Sequence, residues 1–265
     1  MKQYVLAFLK SIGFIVMYLV VNAVFLVTYF IINPEVELED IPANTMTLML
    51  FGTQVIVLIV ILLIYRRKFP SVVKLRKTTP KILLWSFLIG FAGINISVII
   101  IEVLTILIPD QVASYIEAVE GSIGGATFLL SFLVAGIMAP IVEEIAMRGM
   151  FFKWFEGTNI KPWVLIVFSG LLFGVFHVNL IQGTFATVIG IIYALGFYMT
   201  KSLWVPIMMH FANNAYAVIA GEFPEAWLES TVYSVISYAF ILLIPIGFYF
   251  IQKELKEQAQ VSNQT

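Results

Sequence analysis

Long apolar runs separated by short charged loops constrain this chain more than any other feature of its sequence. A helix that crosses the hydrocarbon core of a bilayer needs about 20 mostly apolar residues. By that measure the chain has eight candidate spans, at residues 4–32, 46–65, 82–108, 126–152, 162–181, 184–200, 203–221 and 230–251. The sequence therefore predicts an all-α fold, a polytopic membrane helix bundle with about eight transmembrane helices.

Composition indicates the same class of protein. Hydrophobic residues make up 61% of the 265 residues and charged residues 12%, whereas a soluble domain has about 25% charged residues. The first run, 4–32, is longer than the apolar core of a signal peptide, so we expect it to be retained as a span. Because the chain has no cysteine, disulfides, thiolate metal ligands and a thiol nucleophile are excluded.

The loops alternate in charge along the chain. The basic loop 66–81 follows an acidic one, and the acidic loop 222–229 precedes the basic C-terminal segment. Fourteen of the 15 Lys and Arg residues fall on one side, and the remaining one is Arg148. The positive-inside rule therefore predicts cytoplasmic termini in a cell membrane, with 252–265 as a cytoplasmic tail. We interpret 1–265 as a single integral-membrane domain.

Few ionisable side chains remain within the predicted spans. They are Glu102, Glu143, Glu144, Arg148, His177 and His210. A charge in the bilayer costs several kcal/mol unless it is paired, and such residues mark functional sites by default. His177 and His210 are the only 2 histidines of the chain. Glu102 has no motif around it, and we expect it to be structural or lipid-facing.

The fourth predicted span carries adjacent carboxylates and a guanidinium. Glu144 and Arg148 are four residues apart and share a helix face, where they can neutralise each other. Glu143 lies about 100° round the helix and has no partner on the same helix. A buried ion pair that only fixes helix packing is the alternative, but it leaves Glu143 unexplained.

Two further patterns place the histidines on separate spans. Phe173 lies one turn before His177, and His210 shares a helix face with Asn214. Each pattern alone is also compatible with a polar residue that bonds two helices together. Together with the fourth span, these residues could hydrolyse a peptide bond, with a carboxylate as general base and a histidine and an amide stabilising the oxyanion. Two histidines and a carboxylate could instead hold zinc.

These residues resemble the motifs of the CPBP family of intramembrane proteases, also called Abi or CAAX-protease-like, which is related to the type II CAAX prenyl endopeptidase. The family motifs Glu-Glu-x-x-x-Arg, Phe-x-x-x-His and His-x-x-x-Asn occur here in order, at Glu143-Glu144-x-x-x-Arg148, Phe173-x-x-x-His177 and His210-x-x-x-Asn214. The resemblance covers roughly residues 120–220, and it makes 126–221 the motif-bearing catalytic core.

The resemblance implies a role for each residue of the motifs. Glu143 would activate water with His177, and Glu144 with Arg148 would hold the site together. His210 and Asn214 would form the oxyanion hole. No metal is then obligatory, although a divalent ion such as zinc, held by Glu143, His177 and His210, stays open. The expected partners are a peptide or protein substrate at the membrane and the lipid bilayer, without nucleic acid.

Two other functions are compatible with a helical membrane protein of this kind. A non-proteolytic scaffold or immunity protein would keep the fold, but it would not need every catalytic position. A proton-coupled transporter could relay protons through the same carboxylates and histidines, but the sequence lacks the inverted repeats and paired broken helices typical of such transporters. Intact motifs favour the endopeptidase, and we expect its site in the cytoplasmic half of the bundle.

Overall fold

The computed structural model describes residues 2–228 and 230–262. Over these residues every regular element is helical, so the predicted all-α fold class is confirmed. Glu229 of the predicted acidic loop and residues 263–265 of the predicted tail lie outside the described residues. The longer helices are α1 Lys2–Ile32, α2 Ala43–Tyr65, α3 Pro80–Leu107, α4 Pro109–Val119, α5 Phe128–Trp154, α6 Pro162–Phe176, α7 Leu180–Thr200, α8 Trp204–Ala220, α9 Thr231–Phe240 and α10 Leu243–Ser262.

The chain is a multi-pass integral membrane protein. Within the described residues, 6 helical segments are long and apolar enough to cross a membrane, and they comprise α1, α2, α3, α5, α7 and the α9–α10 pair. The other two predicted spans correspond to α6 and α8, which have 15 and 17 residues. At about 1.5 Å per residue both are shorter than the roughly 30 Å hydrocarbon core. The count of eight spans stays a prediction.

The loops that the charge pattern assigned to the basic side meet at one end of the bundle. Ser202 Oγ donates to the backbone carbonyl of Arg76 at 2.6 Å, and Leu203 N donates to that of Lys74 at 3.0 Å. Lys74 also forms an ion pair with Glu156 at 3.5 Å. We call this region, comprising segments 66–79, 155–161 and 201–203, the basic end.

Loops from the opposite side form the other end. Thr127 N donates to Asn44 Oδ1 at 2.8 Å, which joins the start of α5 to the start of α2. Helix α4, between the predicted third and fourth spans, follows the end of α3 on this side. It is amphipathic, because Val112 is buried while Asp110 and Glu117 are exposed. We call this region, comprising segments 33–42, 120–127 and 221–224, the acidic end.

The predicted boundary between the fifth and sixth spans was wrong. Helix α6 ends at Phe176 and α7 begins at Leu180, so Gln182 lies inside α7 and not in a turn. The side chain of Asn179 accepts a hydrogen bond from Gln182 N at 3.0 Å, which caps α7 and fixes its start. His177 therefore follows the end of α6 and does not lie within a span.

The predicted eighth span, 230–251, is two helices. Helix α9 ends at Phe240, and α10 continues beyond the predicted start of the tail as far as Ser262. Lys81 and Glu254 form an ion pair at 3.4 Å, which holds the first turn of α3 against α10.

Aromatic packing fills the bundle toward the basic end. Phe151 is fully buried, and its ring centroid lies 4.8 Å from that of Phe155 and 5.6 Å from that of Phe168. Phe152 packs on Phe197 of α7 at 5.1 Å. This aromatic cluster lies between the loops of the basic end and the polar residues in the middle of α5.

Candidate active site

The middle of α5 carries the two adjacent glutamates in an irregularly wound helix. A regular α-helical segment, Ala139–Glu144, lies between wider π-helical turns at Phe132–Met138 and Ile145–Met150. Pro140 has no backbone N–H to donate, which helps to interrupt the regular ladder before it. Because π-turns occur frequently at functional sites, this winding is itself an indication of one.

Glu144 and Arg148 form the ion pair that their spacing predicts. Arg148 Nη1 donates to Glu144 Oε1 at 2.7 Å, and both side chains are fully buried. Arg148 Nη2 donates to the backbone carbonyl of Gly190 on α7 at 2.8 Å. The guanidinium also lies over the ring of Phe173, 4.6 Å from its centroid, which favours a cation in this position. The pair therefore joins α5, α6 and α7.

His210 lies between the two glutamates. Its Nδ1 is 2.9 Å from Glu144 Oε1, and its Nε2 is 3.9 Å from Glu143 Oε2. An ionised carboxylate only accepts hydrogen bonds, so Nδ1 carries the hydrogen in the contact with Glu144. The imidazole ring lies beside Tyr193, with ring centroids 5.3 Å apart. Glu144 therefore orients His210 as well as neutralising Arg148.

His177 is held by its own helix end. Its Nδ1 is 2.8 Å from the backbone carbonyl oxygen of Phe173, so that nitrogen carries the hydrogen and Nε2 is left for another partner. The imidazole packs edge-on against the rings of Phe173 and Phe176, with centroid distances of 4.8 Å and 5.5 Å. The carboxylate of Glu143 lies 3.9 Å from Nε2 of His210 and forms no ion pair with His177.

Asn214 connects α8 to α5. Its Nδ2 donates to the backbone carbonyl of Ala135 at 2.9 Å, and its Oδ1 accepts from Asn213 Nδ2 at 3.1 Å. One hydrogen of Nδ2 is thus used in holding the helices together, and the second remains available to a ligand. Asn213 Oδ1 is buried without a hydrogen-bond partner.

These residues surround a cavity of about 340 Å³ in the middle of the bundle. Of the sequence-predicted site residues, Glu143, His177, His210 and Asn214 line it. Glu144 and Arg148 are fully buried behind its wall. The structure therefore brings all of the predicted residues together and divides them into a cavity-facing group and a supporting ion pair.

Other polar residues of the cavity wall are uncharged and were not predicted from the sequence. They are Tyr18, Asn22, Gln54, Gln182, Tyr193 and Asn213. Gln54 on α2 is fully buried beside Tyr18, and neither atom of its amide group makes a hydrogen bond of good geometry. A single amide inside an apolar run is costly to bury, so the argument that singled out the charged residues could also have found Gln54.

The residues proposed from sequence as metal ligands do not form a three-ligand site. Among residues 2–228 and 230–262, no group of three or more His, Cys, Asp or Glu side chains is placed to hold a metal ion. His210 Nδ1 is bonded to Glu144 and His177 Nδ1 to a backbone carbonyl. Both contacts leave the Nε2 atoms free, which is also how metal-binding imidazoles are held, so a metal bound by Glu143, His177 and His210 stays a prediction.

Glu102 lies away from this cavity. The hydroxyl of Tyr238 on α9 donates to its carboxylate, with distances of 2.8 Å and 2.7 Å to the two oxygens. This contact between α3 and α9 agrees with a structural role for Glu102.

Comparison with known proteins shows that the motif-bearing region is similar to one protein family. Residues 125–216 match the family described as "Type II CAAX prenyl endopeptidase Rce1-like", and all six predicted site residues lie within this stretch. The chain is 36% identical over 91 residues to YdiL of Bacillus subtilis (strain 168), which is named as a candidate membrane peptidase. That alignment covers 34% of this chain and 36% of YdiL, so the chain spans about a third of that relative's length.

A second relative extends over more of the chain. The "Membrane-embedded CAAX protease MroQ" of Staphylococcus aureus (strain USA300) is 29% identical over 181 residues, which are 65% of this chain and 72% of MroQ. No solved structure matches the chain significantly. The resemblance carried by the three motifs is confirmed: residues 125–216 are similar to the family of type II CAAX prenyl endopeptidases, and both relatives are named as membrane peptidases or proteases.

Proposed function

We propose that this protein is an intramembrane endopeptidase that hydrolyses a peptide bond of a peptide or protein at the membrane. The observation that carries the proposal is the placement of Glu143, His177, His210 and Asn214 around one cavity, with Glu144 and Arg148 paired behind it. A scaffold would need no such division between cavity-facing and supporting polar groups.

Glu143 is the general base of the proposed reaction. Its carboxylate borders the cavity, while the neighbouring Glu144 is already committed to Arg148 and His210. Glu143 takes a proton from a water molecule as that water attacks the scissile carbonyl carbon. His177 Nε2, which is free of the bond that fixes Nδ1, accepts a hydrogen bond from the same water and orients it.

His210 and Asn214 stabilise the oxyanion that forms. His210 Nε2 donates when it is protonated, and Asn214 has a second Nδ2 hydrogen beyond the one that binds Ala135 O. Such preorganised donors typically contribute about 3–4 kcal/mol each to transition-state stabilisation. Glu144 holds His210 through Nδ1, which is the role of an orienting carboxylate beside a catalytic histidine. Glu143 then returns its proton to the leaving amine.

The remaining expectations from the sequence belong to the same proposal. The protein requires no obligatory metal, works in a cell membrane with both termini in the cytoplasm, and binds a polypeptide and not a nucleic acid. The charge of the two bundle ends supports this orientation.

The test compares Glu143→Gln with wild type in cleavage of a membrane-peptide library by protein purified in detergent. General acid–base catalysis contributes about 10²–10⁴-fold, so we expect kcat/KM to fall by at least ~100-fold. The matched control is Glu102→Gln, which removes a carboxylate outside the cavity and should keep activity within a few-fold. Cleavage by Glu143→Gln at the wild-type rate would remove the assignment of the base, and loss of wild-type activity with a chelator would remove the metal-free mechanism.

A further inference from the structure

The catalytic cavity continues into a second one. A cavity of about 500 Å³ extends from it to the acidic end, where Tyr115, Ser122 and Glu222 line it. The two cavities share lining residues from α2, α5, α7, α8 and the turn before α5. The shared residues are Leu50, Ile123, Ala135, Gln182, Phe185, Asn213 and Asn214. A path from the acidic end therefore leads directly to the residues of the proposed reaction.

The basic end is closed by packing. One and two turns beyond Glu143, Met147 and Phe151 are buried, and Phe151 belongs to the aromatic cluster. At the surface, the hydrogen bond from Leu203 N to the backbone carbonyl of Lys74 holds the loop after α2 against the turn between α7 and α8. Leu203 is itself fully buried beneath this contact. A substrate arriving at this end would have to displace core side chains.

The cavity wall carries polar groups without partners. Both amide atoms of Gln54 and the Oδ1 of Asn213 are buried without a hydrogen bond of good geometry. Buried amides normally have partners, because leaving one unsatisfied costs about 1–3 kcal/mol. An extended polypeptide backbone presents N–H and C=O groups in alternation, so it can satisfy the donor and the acceptor of Gln54 together.

The charge around the acidic end selects among peptides. Glu222 lines the outer cavity, and Asp110, Glu117 and Glu120 are exposed on α4 and the turn after it. A surface of one sign attracts segments of the opposite sign and raises their local concentration.

We propose that the catalytic cavity is reached from the acidic end, through the outer cavity, by an extended polypeptide segment with basic residues beside the part that enters. Gln54 and Asn213 bind its backbone. This inference rests on the proposed function for its chemistry, but the direction of access can be tested without catalysis. It differs from the expectation of a site in the cytoplasmic half, because the path leads away from the basic loops.

The absence of native cysteine makes the direction of access measurable. Ala135→Cys introduces a thiol at the wall shared by both cavities, and Ser71→Cys introduces one on the exposed surface of the basic end. In intact cells, a small membrane-impermeant methanethiosulfonate should modify Ala135→Cys from the side opposite to the one that reaches Ser71→Cys. Modification of both thiols from the same side only would overturn the inference, whatever the enzyme cleaves.

A second experiment asks whether the outer cavity is the substrate path. Ser122→Cys and Ser71→Cys are matched substitutions at the acidic and basic ends, and each labelled variant is compared with its own unlabelled form. A bulky maleimide on Ser122→Cys should reduce cleavage of a long peptide at least ~10-fold, and on Ser71→Cys less than ~2-fold. The opposite pattern would contradict the proposed path. If unlabelled wild type cleaves no peptide, the proposed function fails, and the thiol-labelling result still decides the direction of access.

The charge preference is tested with two peptides that share an apolar segment and differ in Lys or Glu flanks. The Lys-flanked peptide should have about 10-fold higher kcat/KM at low salt, and the ratio should decrease as salt screens the charges. An equal rate for both peptides, or a preference for Glu flanks, would refute this part of the inference.

Discussion

Replacement of Arg148 by methionine should destabilise the protein more than replacement of any cavity-facing residue. The guanidinium makes hydrogen bonds of 2.7 Å to Glu144 and 2.8 Å to the carbonyl of Gly190, and no part of it is exposed. Removing one partner of a buried ion pair typically costs about 3–5 kcal/mol, because the remaining charge keeps its desolvation penalty. For a protein of this size each kcal/mol lowers Tm by about 2–4 °C, so Arg148→Met should lower it by roughly 6–20 °C.

The measurement is thermal unfolding in detergent, followed by intrinsic tryptophan fluorescence. The matched variant is the double substitution Glu144→Gln with Arg148→Met, which removes both charges. In this double variant the amide oxygen of the glutamine at position 144 can still accept a hydrogen bond from His210 Nδ1. The double variant should therefore regain at least about half of the stability that Arg148→Met loses. If Arg148→Met lies within about 1 kcal/mol of wild type, or if the double variant is the less stable of the two, the ion pair does not hold the bundle as described.

Two further predictions concern packing and the surface. An alanine Cβ at Gly90 on α3 would overlap the carbonyl oxygen of Met209, so Gly90→Ala should lower the stability by about 1–3 kcal/mol. The control is Gly13→Ala on α1, where the added Cβ meets nothing within 4 Å. This variant should be neutral or slightly stabilising in the same unfolding assay. The hydrogen bond from the Lys153 ammonium holds the pKa of Glu156 below its usual range. This exposed carboxylate therefore stabilises the fold at pH values above its unfolded-state pKa. The contribution is lost as the pH falls through the folded-state pKa. Glu156→Gln should therefore cost less than about 1 kcal/mol at neutral pH, with the difference vanishing once the pH is below the lowered folded-state pKa, and a larger or pH-independent loss would contradict this reading.

Hydrophobic runs and helical spacing account for much of the molecule. The spacing of Glu144 and Arg148 was enough to predict their contact, because residues four apart on a helix always share a face. The positions of the basic loops likewise predicted which of them meet at one end of the bundle. These features follow from local geometry and from the cost of charge in lipid.

Features that depend on irregular backbone were beyond the same reasoning. The mean hydropathy of the run does not mark the end of α6 at Phe176, although Asn179 with Gln182 three residues later is a local pattern of a helix start. The π-turns of α5 change which residues face the cavity, and no simple periodicity reveals them. The amide of Gln54 stands out in its apolar run, but only the packing of α2 beside α5 shows that it lines the cavity.

The short length of α6 has a consequence for biosynthesis. A helix of 15 residues is about 22 Å long, which is too short to remain in a bilayer as an independent stop-transfer segment. It is tightly apposed to α7, where a Cβ on Gly174 would lie 2.5 Å from the carbonyl oxygen of Gly183. The two helices are therefore expected to leave the translocon together as one helical hairpin, which carries the imidazole of His177 to its depth as the chain is synthesised.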